Sequence, residues 1–101
     1  MNITEERIVN KVKQSILSID KDAEIILFGS RARDDSDWDF LFLTNEKVTF
    51  PFRMEISRKM LRIELEEDVV LQVVPKNKID WQGVYFDSPF YRNVKDDGVI
   101  L

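Results

Sequence analysis

Two aspartates, Asp37 and Asp39, stand one residue apart at the head of an apolar run, and a Gly-Ser pair, Gly29 and Ser30, stands shortly before them. The whole segment, residues 25–43, reads IILFGSRARDDSDWDFLFL. These residue types suit a metal-bound triphosphate. Carboxylates are the ligands Mg²⁺ takes, usually one or two of them beside phosphate oxygens of the substrate. Backbone amides around a Gly-Ser turn can cradle phosphate, above all where a helix begins. Arg31 and Arg33 follow the turn, and a guanidinium matches phosphate geometry.

The spacing supports this chemistry. Side chains alternate along a strand, so Asp37 and Asp39 share a face, with Cα atoms roughly 7 Å apart. Two carboxylates at that distance can reach the same one or two ions. Trp38, Phe40 and Phe42 point to the other face, while Leu41 and Leu43 continue the aspartate face. An apolar pattern on both sides predicts a central strand, buried beyond its first residues.

Each of these residues also has an ordinary use. Asp-Asp-Ser-Asp is good turn composition, because these side chains bond their own backbone. Arg31 and Arg33 could pair with Asp34 and Asp35 at the surface, which contributes little. Ser30 could cap a helix, a role compatible with phosphate contact. Asp35, Asp37, Asp39 and Glu46 fall at the first, third, fifth and twelfth positions of a calcium loop. The sixth position of such a loop needs glycine and here holds Phe40, which argues against calcium.

The elements that must position the site read as α, β, β, α, β and a helical tail. Thr4 can cap a first helix, with Glu5 and Glu6 favourable in its first turn. Ile8, Val9, Val12 and Ile16 give that helix a buried stripe. Residues 25–28 form the first strand and 38–44 the second. Residues 31–33 start a short helix aimed at phosphate. Pro51 opens a long helix over 52–66, whose acidic end, Glu64, Glu66 and Glu67, reads as solvated. Residues 69–74 form the third strand, and Pro75 ends it. Short helices follow near 78–83 and over 89–97, the second capped by Ser88 and stopped at Gly98. The late aromatics Trp81, Tyr85, Phe86, Phe90 and Tyr91 read as packing residues that anchor the tail.

The run Gly-Ser-Arg-Ala-Arg followed by Asp-Ser-Asp-Trp-Asp-Phe-Leu resembles the signature of the nucleotidyltransferase superfamily that includes DNA polymerase beta. It looks most like the minimal nucleotidyltransferases of bacteria and archaea, small proteins of about this length. The resemblance implies an α/β (α+β) nucleotidyltransferase fold, a small mixed sheet packed against helices. It implies that Gly29 and Ser30 hold the triphosphate, helped by Arg31 and Arg33. Asp37 and Asp39 are then the catalytic pair and the ligands of Mg²⁺. The reaction it implies moves a nucleoside monophosphate from a metal-bound NTP, with ATP expected, to an acceptor hydroxyl. Some relatives of this kind are antitoxins that adenylylate a partner toxin of the HEPN type, so a protein acceptor is expected too.

Two departures from the family pattern bear on activity. The loop between Ser30 and Asp37 is shorter than usual. Active members also carry a third carboxylate on a later strand, and residues 69–74, VVLQVV, contain none. Gln72 stands at that position, and Asp68 lies four residues earlier on the same alternation. A glutamine can offer its carbonyl oxygen to a metal but cannot act as a base at neutral pH. A nucleotide-binding or partner-binding module without turnover is therefore the alternative. The group facing Asp37 and Asp39 across the sheet separates the two readings.

Composition sets outer limits. The sequence has 101 residues, 34% of them charged and 44% hydrophobic, with formal net charge −4. One globular domain over residues 1–101 is expected. No basic cluster stands out, which argues against a nucleic-acid partner. There is no Cys and no His, so disulfides, thiolate chemistry, Ser-His triads and imidazole metal ligands are excluded. No signal peptide or membrane span is visible, so a cytoplasmic location is expected.

Overall fold

Asn2 opens the first helix, α1 (Ile3–Ile19), through a reciprocal capping box. Its side chain accepts from the Glu5 N–H at 2.8 Å, and the Glu5 carboxylate accepts from the Asn2 N–H at 3.4 Å. The cap therefore falls two residues before Thr4, because only Asn2 has a glutamate three residues on within the box. The computed structural model describes residues 1–29 and 37–101. The short helix expected at 31–33 lies outside the described residues.

After α1 the chain forms β1 (Glu24–Phe28), β2 (Asp37–Thr44), α2 (Phe50–Glu67), β3 (Val70–Asn77), α3 (Lys78–Gln82), α4 (Pro89–Asp97) and β4 (Val99–Ile100). Thr49 caps α2, with Pro51 in its first turn, and Ser88 caps α4, which stops at Gly98. The strands make one mixed sheet in the order β3-β2-β1-β4. β1 runs antiparallel to β2 and β4, whereas β3 runs parallel to β2. A parallel neighbour needs a crossover connection, and α2 provides it.

The sheet is covered on both faces. On one, Ile25, Leu27, Trp38, Phe40, Phe42 and Leu71 meet the α1 stripe and Ile56, Met60 and Ile63 of α2. On the other, Leu41 and Leu43 lie with Trp81 and Val94, and Phe28, Phe90 and Tyr91 pack around them. Trp81 has ring contacts with Tyr85, Phe90 and Tyr91. The late aromatics thus pack, although Phe86 remains exposed at 58%. Beyond its first residues β2 is buried on both sides, as its apolar pattern predicts.

Three expectations are corrected. Pro75 does not end β3, which continues to Asn77 with Pro75 in register with Phe42. β3 is an edge strand, and the Leu71 N–H donates to Glu64 Oε2 at 3.0 Å rather than to a strand. Pro75 shares that alternation, so its missing N–H falls on the outer edge, where a strand tolerates proline. The acidic end of α2 is not simply solvated. Glu67 pairs with Arg7 and Lys11, Glu66 pairs with Lys11, and Glu64 seals the edge of β3. The tail is also not purely helical, because β4 returns to β1, pairing Val99 with Leu27 and Ile100 with Ile26. Among the described residues, no helix is long and apolar enough to cross a membrane.

Candidate functional site

Asp37 is the exposed first residue of β2, and Asp39 is half-buried two residues later. Alternation puts both on the face that carries Leu41 and Leu43 farther along. The helices α3 and α4 cover that face at the leucines. The aspartates therefore sit where a buried strand emerges from its cover.

The register identifies their neighbours. Asp39 lies between Phe28 of β1 and Gln72 of β3, and Asp37 lies beside Val70. Registered partners share a face, so Gln72 and Val70 flank the two carboxylates. Asp68 does not. It ends α2 in a left-handed conformation, φ 54° and ψ 52°, before β3 begins. There it lines a groove with Asn2, Ile8 and Trp38, beside the opposite face of the sheet. Glu64 is engaged by the Leu71 N–H. Among the described residues, no group of three or more Asp, Glu, His or Cys could hold a metal. Among the described residues, the neighbour of Asp39 on β3 is the amide of Gln72.

Gly29 follows directly on β1 with φ +76°, a conformation that favours glycine. Sequence alone could not show its second constraint. A Cβ placed on Gly29 would lie 2.6 Å from Asp39 Oδ2. The backbone at Gly29 therefore lies close to the Asp39 carboxylate. Phe28, just before Gly29, stacks edge-on against Phe90 at 5.4 Å, which fixes this end of β1 to α4. Ser30, Arg31 and Arg33 lie outside the described residues.

The donor set suits one class of ion. Asp37 and Asp39 offer carboxylate oxygens, and Gln72 offers an amide oxygen on the same face. Hard oxygen donors of this kind suit Mg²⁺, which is usually held by one or two carboxylates plus substrate phosphates. With no His or Cys in the chain, softer metals find no preferred ligand.

Comparison with known proteins identifies the family and the fold. A family model described as "Nucleotidyltransferase domain" matches residues 9–101. No curated protein matches the chain at a significant level. Solved structures share the fold. A toxin-antitoxin pair, MntA-HpeT, carrying a substitution is matched with TM-score 0.57 and 22% identity, over 96% of this chain and 69% of that one. A toxin-antitoxin crystal structure with AMP-PNP is matched with TM-score 0.62 and 20% identity, over 90% of this chain and 69% of that one. A Shewanella oneidensis complex of a tri-AMPylated HEPN toxin with an MNT antitoxin is matched with TM-score 0.58 and 18% identity, over 97% and 68%.

Proposed function

Because this chain belongs to the nucleotidyltransferase domain family, we propose that it binds a magnesium-complexed nucleoside triphosphate, ATP first, and passes the nucleoside monophosphate to a hydroxyl on a partner protein. The observation that carries the proposal is the closeness of the Gly29 backbone to the Asp39 carboxylate, which leaves no room there for a Cβ. It brings backbone suited to phosphate onto an oxygen suited to the metal.

The residues divide the work. Asp37 and Asp39 supply the metal-binding oxygens. Gly29, by lacking a side chain, lets the backbone lie close to Asp39. Ser30, Arg31 and Arg33 are assigned to the phosphates from sequence. Mg²⁺ bound here would neutralise charge on the triphosphate and on the leaving pyrophosphate. The acceptor oxygen bonds to the α-phosphorus as the bond from that phosphorus to the bridging oxygen breaks. Pyrophosphate leaves. Gln72 can orient a ligand but cannot take the acceptor's proton, so the proton goes to water and transfer is slow.

The solved toxin-antitoxin structures support the choice of ATP and of a protein acceptor. One of those pairs holds AMP-PNP, and in another the HEPN toxin is AMPylated. A HEPN-type toxin in the cytoplasm is the acceptor we assign. Incubating the protein with Mg²⁺, such a toxin and ATP labelled at its α-phosphate should label the toxin. Asp37→Asn and Asp39→Asn should each abolish that label. Label persisting in both variants would remove the acidic pair from the mechanism.

One observation favours a second reading. The groups beside Asp37 and Asp39 are Val70 and Gln72, not an acid. A protein that binds nucleotide and grips its partner without turnover would show magnesium-dependent binding and no label on any acceptor.

A further inference from the structure

Helices α1 and α2 lie side by side over one face of the sheet. Between them runs a groove lined by Ser15 of α1 and by Glu55, Arg58, Lys59 and Arg62 of α2. Three cations stand against one acid there, in a chain of formal net charge −4. None of the three takes part in an ion pair among the described residues. Arg58 and Arg62 are four residues apart, so they neighbour each other on the helix surface, and like charges at that spacing oppose helix formation. An anion seated between them would remove that repulsion.

The extent of the positive stretch identifies the anion. Lys11 of α1 is already held by Glu66 and Glu67. Along α2, Glu55 precedes the three cations and Glu66 follows them. The positive charge left over therefore spans residues 58–62, about 6 Å of helix. A nucleic-acid strand repeats its charge about every 3.4 Å without a break, so one laid along α2 would run onto Glu55 or Glu66. Two carboxylates one helical turn apart fit instead, because residues four apart on a helix are themselves about 5–6 Å apart. A guanidinium can take each carboxylate through two hydrogen bonds, and Lys59 and Ser15 stand beside the arginines.

We propose that the α1–α2 groove receives an acidic helix of a partner protein, with carboxylates one turn apart seated on Arg58 and Arg62. Asp37 and Asp39 lie on the opposite face of the sheet. A helix held in the groove therefore leaves them uncovered, and the proposal stands whether or not the site transfers nucleotide.

Fluorescence anisotropy with labelled probes tests it. The probes are an alanine-rich helical peptide with glutamates one turn apart, the same peptide with glutamines in their place, and a single-stranded oligouridylate. The glutamate peptide should bind most tightly, and added salt should weaken it. Reversing both arginines, Arg58→Glu with Arg62→Glu, should weaken that peptide at least about tenfold. Arg58→Glu alone should weaken it severalfold and yet unfold at no lower a temperature than the wild type, because it turns a like-charge pair with Arg62 into an opposite one. Lys95→Glu, at an exposed lysine of α4 on the other side of the sheet, should change binding by less than about twofold. A glutamate peptide that binds no tighter than its glutamine form, or that binds the reversed and wild-type proteins alike, would overturn the proposal. So would an equal loss in Lys95→Glu. An oligouridylate bound more tightly through the same arginines would overturn it too, and give the groove to nucleic acid.

Discussion

Gly29→Ala puts two separable costs onto one atom. The first is conformational. Gly29 has φ +76°, and an L-residue in the left-handed region costs about 1–2 kcal/mol. The second is steric. The new Cβ would lie 2.6 Å from Asp39 Oδ2, so the carboxylate must retreat to reach the 3.4 Å at which ordinary contact begins. β2 is paired on both sides at Asp39, with Phe28 and with Gln72, so its backbone cannot yield. The side chain must rotate instead, and an off-rotamer χ angle costs about 0.5–1.5 kcal/mol. The sum is about 1.5–3.5 kcal/mol of lost stability. A double-mutant cycle separates the parts. In an Asp39→Ala background the nearest remaining atom is the residue-39 Cβ at 3.4 Å, so only the conformational cost should survive. The coupling should be about 1 kcal/mol, read from urea unfolding of the four proteins. Gly29→Ala should also weaken magnesium-nucleotide binding if the displaced oxygen is, as proposed, one that holds the metal. An equal cost in both backgrounds, or no cost in either, would refute the account of how the turn meets the carboxylate.

Gln72→Glu places a carboxylate beside Asp39 and should raise nucleotide transfer by about a hundredfold, the lower end of what a positioned base supplies. An unchanged rate would mean that residue 72 does not face the reacting hydroxyl. Glu67 is held at a pKa of about 2 by its hydrogen bonds to Arg7 and then to Lys11. Its folded pKa lies below the ordinary value of 4.5, so its contribution is present above that value. That contribution is lost as pH falls from about 4.5 towards about 2. Arg7→Ala should flatten the loss of stability through that window, as measured by urea unfolding at a series of pH values. A curve with the wild-type slope would show that the α1–α2 ion pair does not carry the acid response.

The local features were legible in the sequence because each depends on a few neighbouring residues. Period-two alternation placed Asp37 and Asp39 on one face, and the buried β2 matches it. Ser88 and Gly98 bound α4 where cap chemistry puts them. What stayed hidden depends on pairing between distant segments. Pro75 reads as a stop until β3 proves to be an edge whose outer N–H groups need no strand. Asp68 shares Gln72's alternation on paper, but the left-handed end of α2 removes it from the strand. Val99 and Ile100 are too short a run to announce a strand without β1 beside them. The solvated reading holds for exposed Glu66 but not for Glu67, whose side chain is covered because Arg7 and Lys11, far away in sequence, come alongside. At the site, only the fold shows how near Gly29 lies to Asp39 and that Gln72 is the neighbour of Asp39 on β3.

The most direct test of the central claim is calorimetric titration of the protein with ATP, in Mg²⁺ and again in EDTA, for the wild type and Asp39→Asn. The account predicts binding to the wild type in Mg²⁺ that is lost in EDTA and lost in Asp39→Asn. Binding of equal strength with and without the metal, or binding that survives Asp39→Asn, would contradict a metal-triphosphate site built on Gly29, Asp37 and Asp39.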